Sequence, residues 1–273
     1  MHLRWRTQII ISLSFLLSSC TDDSRQVSGG KPYEVLVVND SHDSLRHILS
    51  VETPDLPQSE PQFDVSSLKQ NRLQDGTKMA HSIVIHQAKG TYRIQRNLYA
   101  QPQIVIHASA GDSLQLRKDL KRFELYCEAK RLQTYHNPKM ERLVKQTFGI
   151  NILLPVDMNS SMKKKDFLWL SNNSAAGMKN VVICRGNIDK MLANYLKGET
   201  DDMYMKRITP CKNSGLWEMK GDAMGGPYRM RQIKDGKQRD LTILTFVYAP
   251  SMKKRNLIQQ LEAVLYTINY GRK

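Results

Sequence analysis

The strongest constraint on what this chain can fold lies at its start. The nine residues from Ile9 to Leu17 carry no charge, follow Arg4 and Arg6, and lead into Ser18-Ser19-Cys20. A helix needs about 20 apolar residues to cross a bilayer, so this run is too short for a stable span. Its length and basic flank fit the apolar stretch of an export signal that is cut away. Folding then falls to about 240 residues beyond the polar stretch that follows, enough for one large domain or two small ones.

Leu17-Ser18-Ser19-Cys20 resembles the lipobox of bacterial lipoproteins. Small residues before the cut let the backbone enter a peptidase cleft, and the Cys20 thiol carries the diacylglycerol. The new amino group accepts a further acyl chain. Several chains are needed because each buried CH₂ contributes about 0.8 kcal/mol and one chain anchors only marginally. The expectation is a signal peptide over residues 1–19 and a lipidated Cys20 leading into a flexible tether over residues 20–31. An α+β domain over 32–273 would follow. Ten tether residues from Thr21 to Gly30, if flexible, span roughly 18 Å and would hold that domain clear of the headgroups.

The formal charge of +15 falls to +13 once residues 1–19 and their two arginines are removed. So basic a surface attracts anionic partners. An exported protein rarely meets nucleic acid, and the aromatic and glycine signatures of RNA-binding sheets are missing. The expected partners are membrane lipid through Cys20, and anionic lipid, glycan or envelope proteins, with no nucleic acid. With Cys20 used by lipid, Cys127, Cys184 and Cys211 remain. Cys127 falls on an apolar helix face, so a disulfide, if one forms, pairs Cys184 with Cys211. No Cys-x-x-Cys spacing points to a metal, and no cofactor is expected.

Short β-branched runs mark strands at Tyr33–Val38, His81–His86, Gln103–His107, Ile150–Val156, Phe167–Leu170 and Val181–Cys184. Further strands read at Leu216–Met219, Tyr228–Ile233 and Leu241–Tyr248. Helices read around Ser44–Leu49, after Asp112, after Asn137-Pro138, at Ile188–Leu196 and at Arg255–Tyr270. The second shows a stripe of Leu116, Leu120, Phe123 and Cys127. Irregular alternation of strands and helices argues for α+β, with mixed or antiparallel sheets and amphipathic helices packed on one face. Ile104–Ser109 and Phe246–Ser251 echo one another, each leading into a helix, which raises a division into two similar halves near residue 150.

The strings Gly30–Val38, Leu56–Phe63, Ala100–Gln103, Gly215–Glu218, Met224–Pro227 and Val247–Pro250 through Lys253–Arg255 occur in this order along the chain. Together they resemble an uncharacterised Bacteroidetes lipoprotein family. The resemblance implies an envelope lipoprotein and no activity. Thr21-Asp22-Asp23-Ser24 resembles the acidic signal that sends some such lipoproteins to the cell surface; a solvated tether is the alternative.

Candidate chemistry is sparse. Overlapping Ser-x-x-Lys patterns at Ser160 to Lys164 lack the helix start and the Lys-Thr-Gly element of serine acyl-transferases, and a basic surface loop explains them better. His81 and His86 lie five apart along a strand and so face opposite ways, and His107 adds no third metal ligand. The candidate ligand-binding residues are Gln58 and Glu60, in a proline-locked extended segment, with Gln103, Trp217, Gly225 and Gly226. The adjacent glycines read as a tight hairpin turn, or as a backbone ledge beside Trp217 for a sugar or peptide. The leading reading is a non-catalytic binding or assembly module tethered at the outer membrane, its side undecided. The rival is an envelope hydrolase or transferase acting on glycan or peptide, with Glu60, His107 and Asp222 in its site.

Overall fold

The computed structural model describes residues 26–69, 72–208 and 213–270. Cys20 and the signal segment, and Cys211 of the expected disulfide, lie outside them. Among the described residues two main sheets form. The first, in order β2-β1-β3-β5-β4, uses β1 (Glu34–Val38), β2 (Asp64–Leu68), β3 (Ser82–His86), β4 (Arg93–Arg96) and β5 (Ile104–Ala108). Strands β1, β2, β3 and β5 run parallel, and β4 pairs antiparallel with β5. Central parallel strands are covered on both faces, which is why Val35, Val37 and Val38, and Ile104 to Ile106, read as unbroken apolar runs.

On one face of this sheet pack α1 (Ser44–Leu49) and α3 (Ser113–Thr134), joined in a cluster with Phe63, Val84 and Ile106. The short α2 (Asp75–Lys78) precedes β3. Before α3, Asp112 accepts hydrogen bonds from the backbone and hydroxyl of Ser109, each at 2.8 Å. The reciprocal bonds of a capping box thus begin at Ser109, three residues ahead of the expected cap. Next comes α4 (Pro138–Phe148). Its Asn137 side chain accepts from Met140 N at 3.2 Å, and Gly149 closes it with φ +74°.

The second sheet is antiparallel throughout, in order β10-β11-β12-β13-β9-β8-β7. Its strands are β7 (Ser160–Lys164), β8 (Phe167–Ser171), β9 (Met178–Cys184), β10 (Met205–Ile208), β11 (Ser214–Met219), β12 (Gly225–Lys234) and β13 (Asp240–Tyr248). Alternation splits it cleanly. Leu168, Leu170, Val181, Ile183, Ile243 and Val247 meet α4 and α6 (Arg255–Tyr266) on one face. Phe167, Val182, Cys184, Leu244 and Phe246 meet α5 (Ile188–Tyr195) on the other. Each such fully buried aliphatic chain contributes about 1.5–3 kcal/mol.

The architecture is α+β, with several departures from expectation. The helices cover both faces of the second sheet, because its central strands are apolar on both sides. The sheets are not copies of each other: one is largely parallel, the other wholly antiparallel. The run from Ile150 is a strand only over β6 (Ile150–Asn151), which pairs with β14 (Asn269–Tyr270), so α6 stops at Tyr266. Ser160 to Lys164 is an edge strand and not a loop. The segment expected as free tether is partly bound: Val27 bridges Gln101, Gly29 N donates to Met79 O at 2.8 Å, and His81 N donates to Gly29 O at 2.9 Å.

The start of α6 joins the two sheets. Glu60 accepts from Lys254 N at 2.6 Å and Arg255 N at 3.1 Å. Arg255 in turn reaches Asp64 and the carbonyl of Pro61, both at 2.7 Å. Nearby, Tyr33 donates to Gln259 at 3.3 Å.

Candidate functional site

A groove of about 610 Å³ opens where the Pro57–Gln58 loop of the first half faces the β11–β12 hairpin and the β13–α6 connection of the second. Gln58, Trp217, Gly225 and Gly226 line it, with Asp222, Tyr248, Ser251 and Lys254. Four of the six residues singled out in the sequence therefore converge.

Their roles differ from those expected. The turn of the hairpin lies ahead of Gly225, and the two glycines are the first residues of β12, opposite Glu218 and Trp217. Neither has a positive φ; what each needs is space. A Cβ at Gly226 would overlap the Val247 carbonyl and lie 3.1 Å from the indole nitrogen of Trp217. One at Gly225 would lie 2.8 Å from Trp217 O. Trp217 is buried, its Nε1 donates to Val247 O at 3.2 Å, and its ring meets Phe246 edge-on at 5.2 Å. It braces the floor and does not offer a stacking face. Half-buried Tyr248 stands beside it, ring centroids 6.3 Å apart.

Polar character comes from other residues. Gln58 is exposed at the rim. Lys254 is buried, and its ammonium donates to Met252 O at 3.0 Å. Glu218 pairs with Lys206 at 2.8 Å. Composition alone did not mark Lys254, Tyr248 or Ser251, although all fall in or beside the Val247-to-Arg255 stretch quoted above.

Glu60 and Gln103 lie outside the groove. Glu60 spends both carboxylate oxygens on the first turn of α6. Gln103, fully buried, accepts from Tyr99 N at 2.9 Å and donates to the carbonyls of Lys78 at 2.6 Å and Ala80 at 2.8 Å. It satisfies backbone groups of the first half that would otherwise be orphaned.

The histidines do not meet either. His81 lies 3.4 Å from Glu124 and against the Phe123 ring, His86 faces Asn39 O at 3.3 Å, and His107 sits between Gln87 and Arg93, 3.0 Å from each. Burial, followed by the Arg93 charge, lowers the His107 pKa, so it is neutral at pH 7. The trio Glu60, His107 and Asp222 is dispersed. Among the described residues no three His, Cys, Asp or Glu side chains gather as metal ligands. Cys184 is a free, buried thiol pushed up to about 12 by burial. Cys127 is raised to the same value by burial and then by Glu124. Neither forms a thiolate at neutral pH.

A wider cavity of about 920 Å³ lies at the carboxyl ends of β1 and β2, between Asn39, Asp40, Lys69 and Arg72. Its one buried carboxylate, Asp40, is committed to Ser44 Oγ at 2.8 Å and Arg46 N at 2.9 Å.

No curated protein and no solved structure matches the chain. Family models do: residues 28–148, from the bound entry segment to the end of α4, match a domain of unknown function (DUF8532). Residues 184–267, from the end of β9 past α6, match another (DUF4837). Most of the folded chain is thus accounted for by two domains of uncharacterised families.

Proposed function

We propose that this chain is an envelope lipoprotein, anchored through Cys20, that binds a polar extended ligand, a glycan or peptide, without catalysis. The groove between Gln58 and the β11–β12 hairpin carries this reading. It is open and built from both halves, and its walls pair polar groups from Gln58, Asp222 and Ser251 with the half-buried Tyr248. Few, well-placed polar groups on a largely preformed apolar floor are the ordinary design of a binding site. Anchoring is supported by the sequence Leu17-Ser18-Ser19-Cys20 alone.

The binding claim is tested with the folded chain on an array of envelope glycans and peptides. Ala223→Trp places an indole in the groove from an exposed wall position, and Gln58→Ala removes a rim donor. A ligand of this groove loses at least tenfold in affinity to the first change, with the melting midpoint unmoved. Undiminished binding by Ala223→Trp overturns the site. Acyl-label incorporation that survives Cys20→Ala overturns the anchor.

A further inference from the structure

The way the chain enters the fold fixes how an anchored domain meets its membrane. Gln26 is already held: Gln101 N donates to Gln26 O at 2.9 Å, and Ser28 N donates to Gln101 O at 3.2 Å. Only residues 21–25 separate Cys20 from this bound segment. Six Cα–Cα steps reach at most about 20 Å, however they are arranged. A flexible chain of that length averages about 13 Å. The corner of the first sheet that receives Gln26 is therefore kept within about 20 Å of the lipidated residue, so it is the part of the described fold held nearest the membrane.

That corner has the composition of a surface that rests on lipid. Val27 is 80% exposed and Leu98 41% exposed, and Leu98 stands in the β4–β5 turn that also holds Gln101. Exposed Lys31, just ahead of β1, and exposed Arg96, at the end of β4 with its guanidinium over the Phe123 ring, lie at the same end of the sheet. Lys78, shared with Asp75 at 3.3 Å, lies over the Tyr99 ring. Apolar side chains at the centre with lysine and arginine around them suit an anionic headgroup layer, where each cation near the surface contributes about 1 kcal/mol.

We propose that Val27, Leu98 and the surrounding β4–β5 turn form a membrane-contact face that lies on anionic phospholipid when Cys20 is acylated. The inference rests on the anchored reading above. It also sets an orientation. The turn between β3 and β4, at Lys89, is at the opposite end of the same strands, because Arg96 pairs with Ile104 while Arg93 pairs with His107. Lys89 is exposed, and this orientation puts it on the side away from the bilayer. About five strand residues, or roughly 17 Å, separate the two ends.

The test uses the full-length chain in isolated membranes containing radiolabelled phosphatidylglycerol. A benzophenone-bearing phenylalanine replaces Leu98 in one variant and Lys89 in another, both exposed positions. On illumination, the probe at 98 forms at least five times more lipid adduct than the probe at 89. Equal or smaller adduct at 98, with acyl label present on Cys20, overturns the contact face and leaves the anchor standing. A wild-type chain that incorporates no acyl label overturns the anchor, and the contact face with it.

Discussion

At the scale of single residues, the buried carboxylate of Asp235 shows what holds a tight turn in a sheet this basic. Its oxygens accept from Lys237 N at 2.8 Å, Arg239 N at 3.0 Å, Arg239 Nε at 2.9 Å and Arg185 Nη2 at 3.2 Å. Burial by itself would raise its pKa, but the hydrogen bonds from Arg239 and Lys237 more than reverse this, and the group titrates well below the usual carboxylate range. A carboxylate whose pKa is depressed by folding contributes stability that is fully present above its unfolded value, near pH 4. That stability is lost as the pH falls toward the folded value. Asp235→Ala leaves the turn N–H groups of Lys237 and Arg239 without their acceptor and takes one of two carboxylate partners from half-buried Arg185, which keeps Asp166, and is expected to cost roughly 2–3 kcal/mol at pH 7. Urea unfolding at pH 7 and at pH 3 checks this, since the gap between wild type and variant narrows at the lower pH. A gap of the same size at both would remove the ionised carboxylate from the account.

At the scale of elements, legibility follows position in the sheet. Strands β1, β3, β5, β8, β9 and β13 were readable because burial on both faces demands β-branched and aromatic runs. In the two main sheets the strands missed in the sequence, β2, β4, β7 and β10, all lie at sheet edges. Three of them, with sequences such as Arg93-Ile94-Gln95-Arg96 and Ser160-Ser161-Met162-Lys163-Lys164, carry two cations each, and β2 carries Asp64, Ser66 and Ser67. Exposed edges are commonly blunted with such residues against unwanted pairing, so the apolar signal is absent by design. The candidate site was half legible for a related reason. Rigid segments with polar side chains mark both ligand contacts and structural hydrogen bonds, and Glu60 and Gln103 proved to be the second kind. Gly225-Gly226 reads in the sequence as a turn or ledge, although what it needs is close backbone approach. Gly226→Ala forces its methyl into the Val247 carbonyl across β12 and β13. It is expected to cost roughly 3 kcal/mol, the upper end of overpacking. Thermal melting measures the loss, and a variant as stable as wild type would mean that β12 shifts without penalty.

At the scale of the whole molecule, the two sheets are coupled through α6. Its core face packs on the second sheet, while its first turn is capped by Glu60 and tied by Arg255 to Asp64, both from the first half. Farther along, Lys121 of α3 pairs with Glu262 at 3.0 Å, and Arg229 of β12 donates to Pro54 O at 3.4 Å. These bonds join residues as much as 195 positions apart, so the first half cannot open without releasing the start of a helix that covers the second core. Cooperative unfolding follows from that geometry even though the sheets have separate cores. Trp169 and Trp217 both lie in the second sheet, so their fluorescence reports that half, while far-ultraviolet dichroism reports both. The two signals are expected to share one urea midpoint. Glu60→Ala leaves the buried backbone N–H groups of Lys254 and Arg255 without acceptors and is expected to cost about 2 kcal/mol, moving both signals together. A tryptophan transition that shifts alone, with dichroism splitting into two steps, would make the halves independent folding units that merely touch.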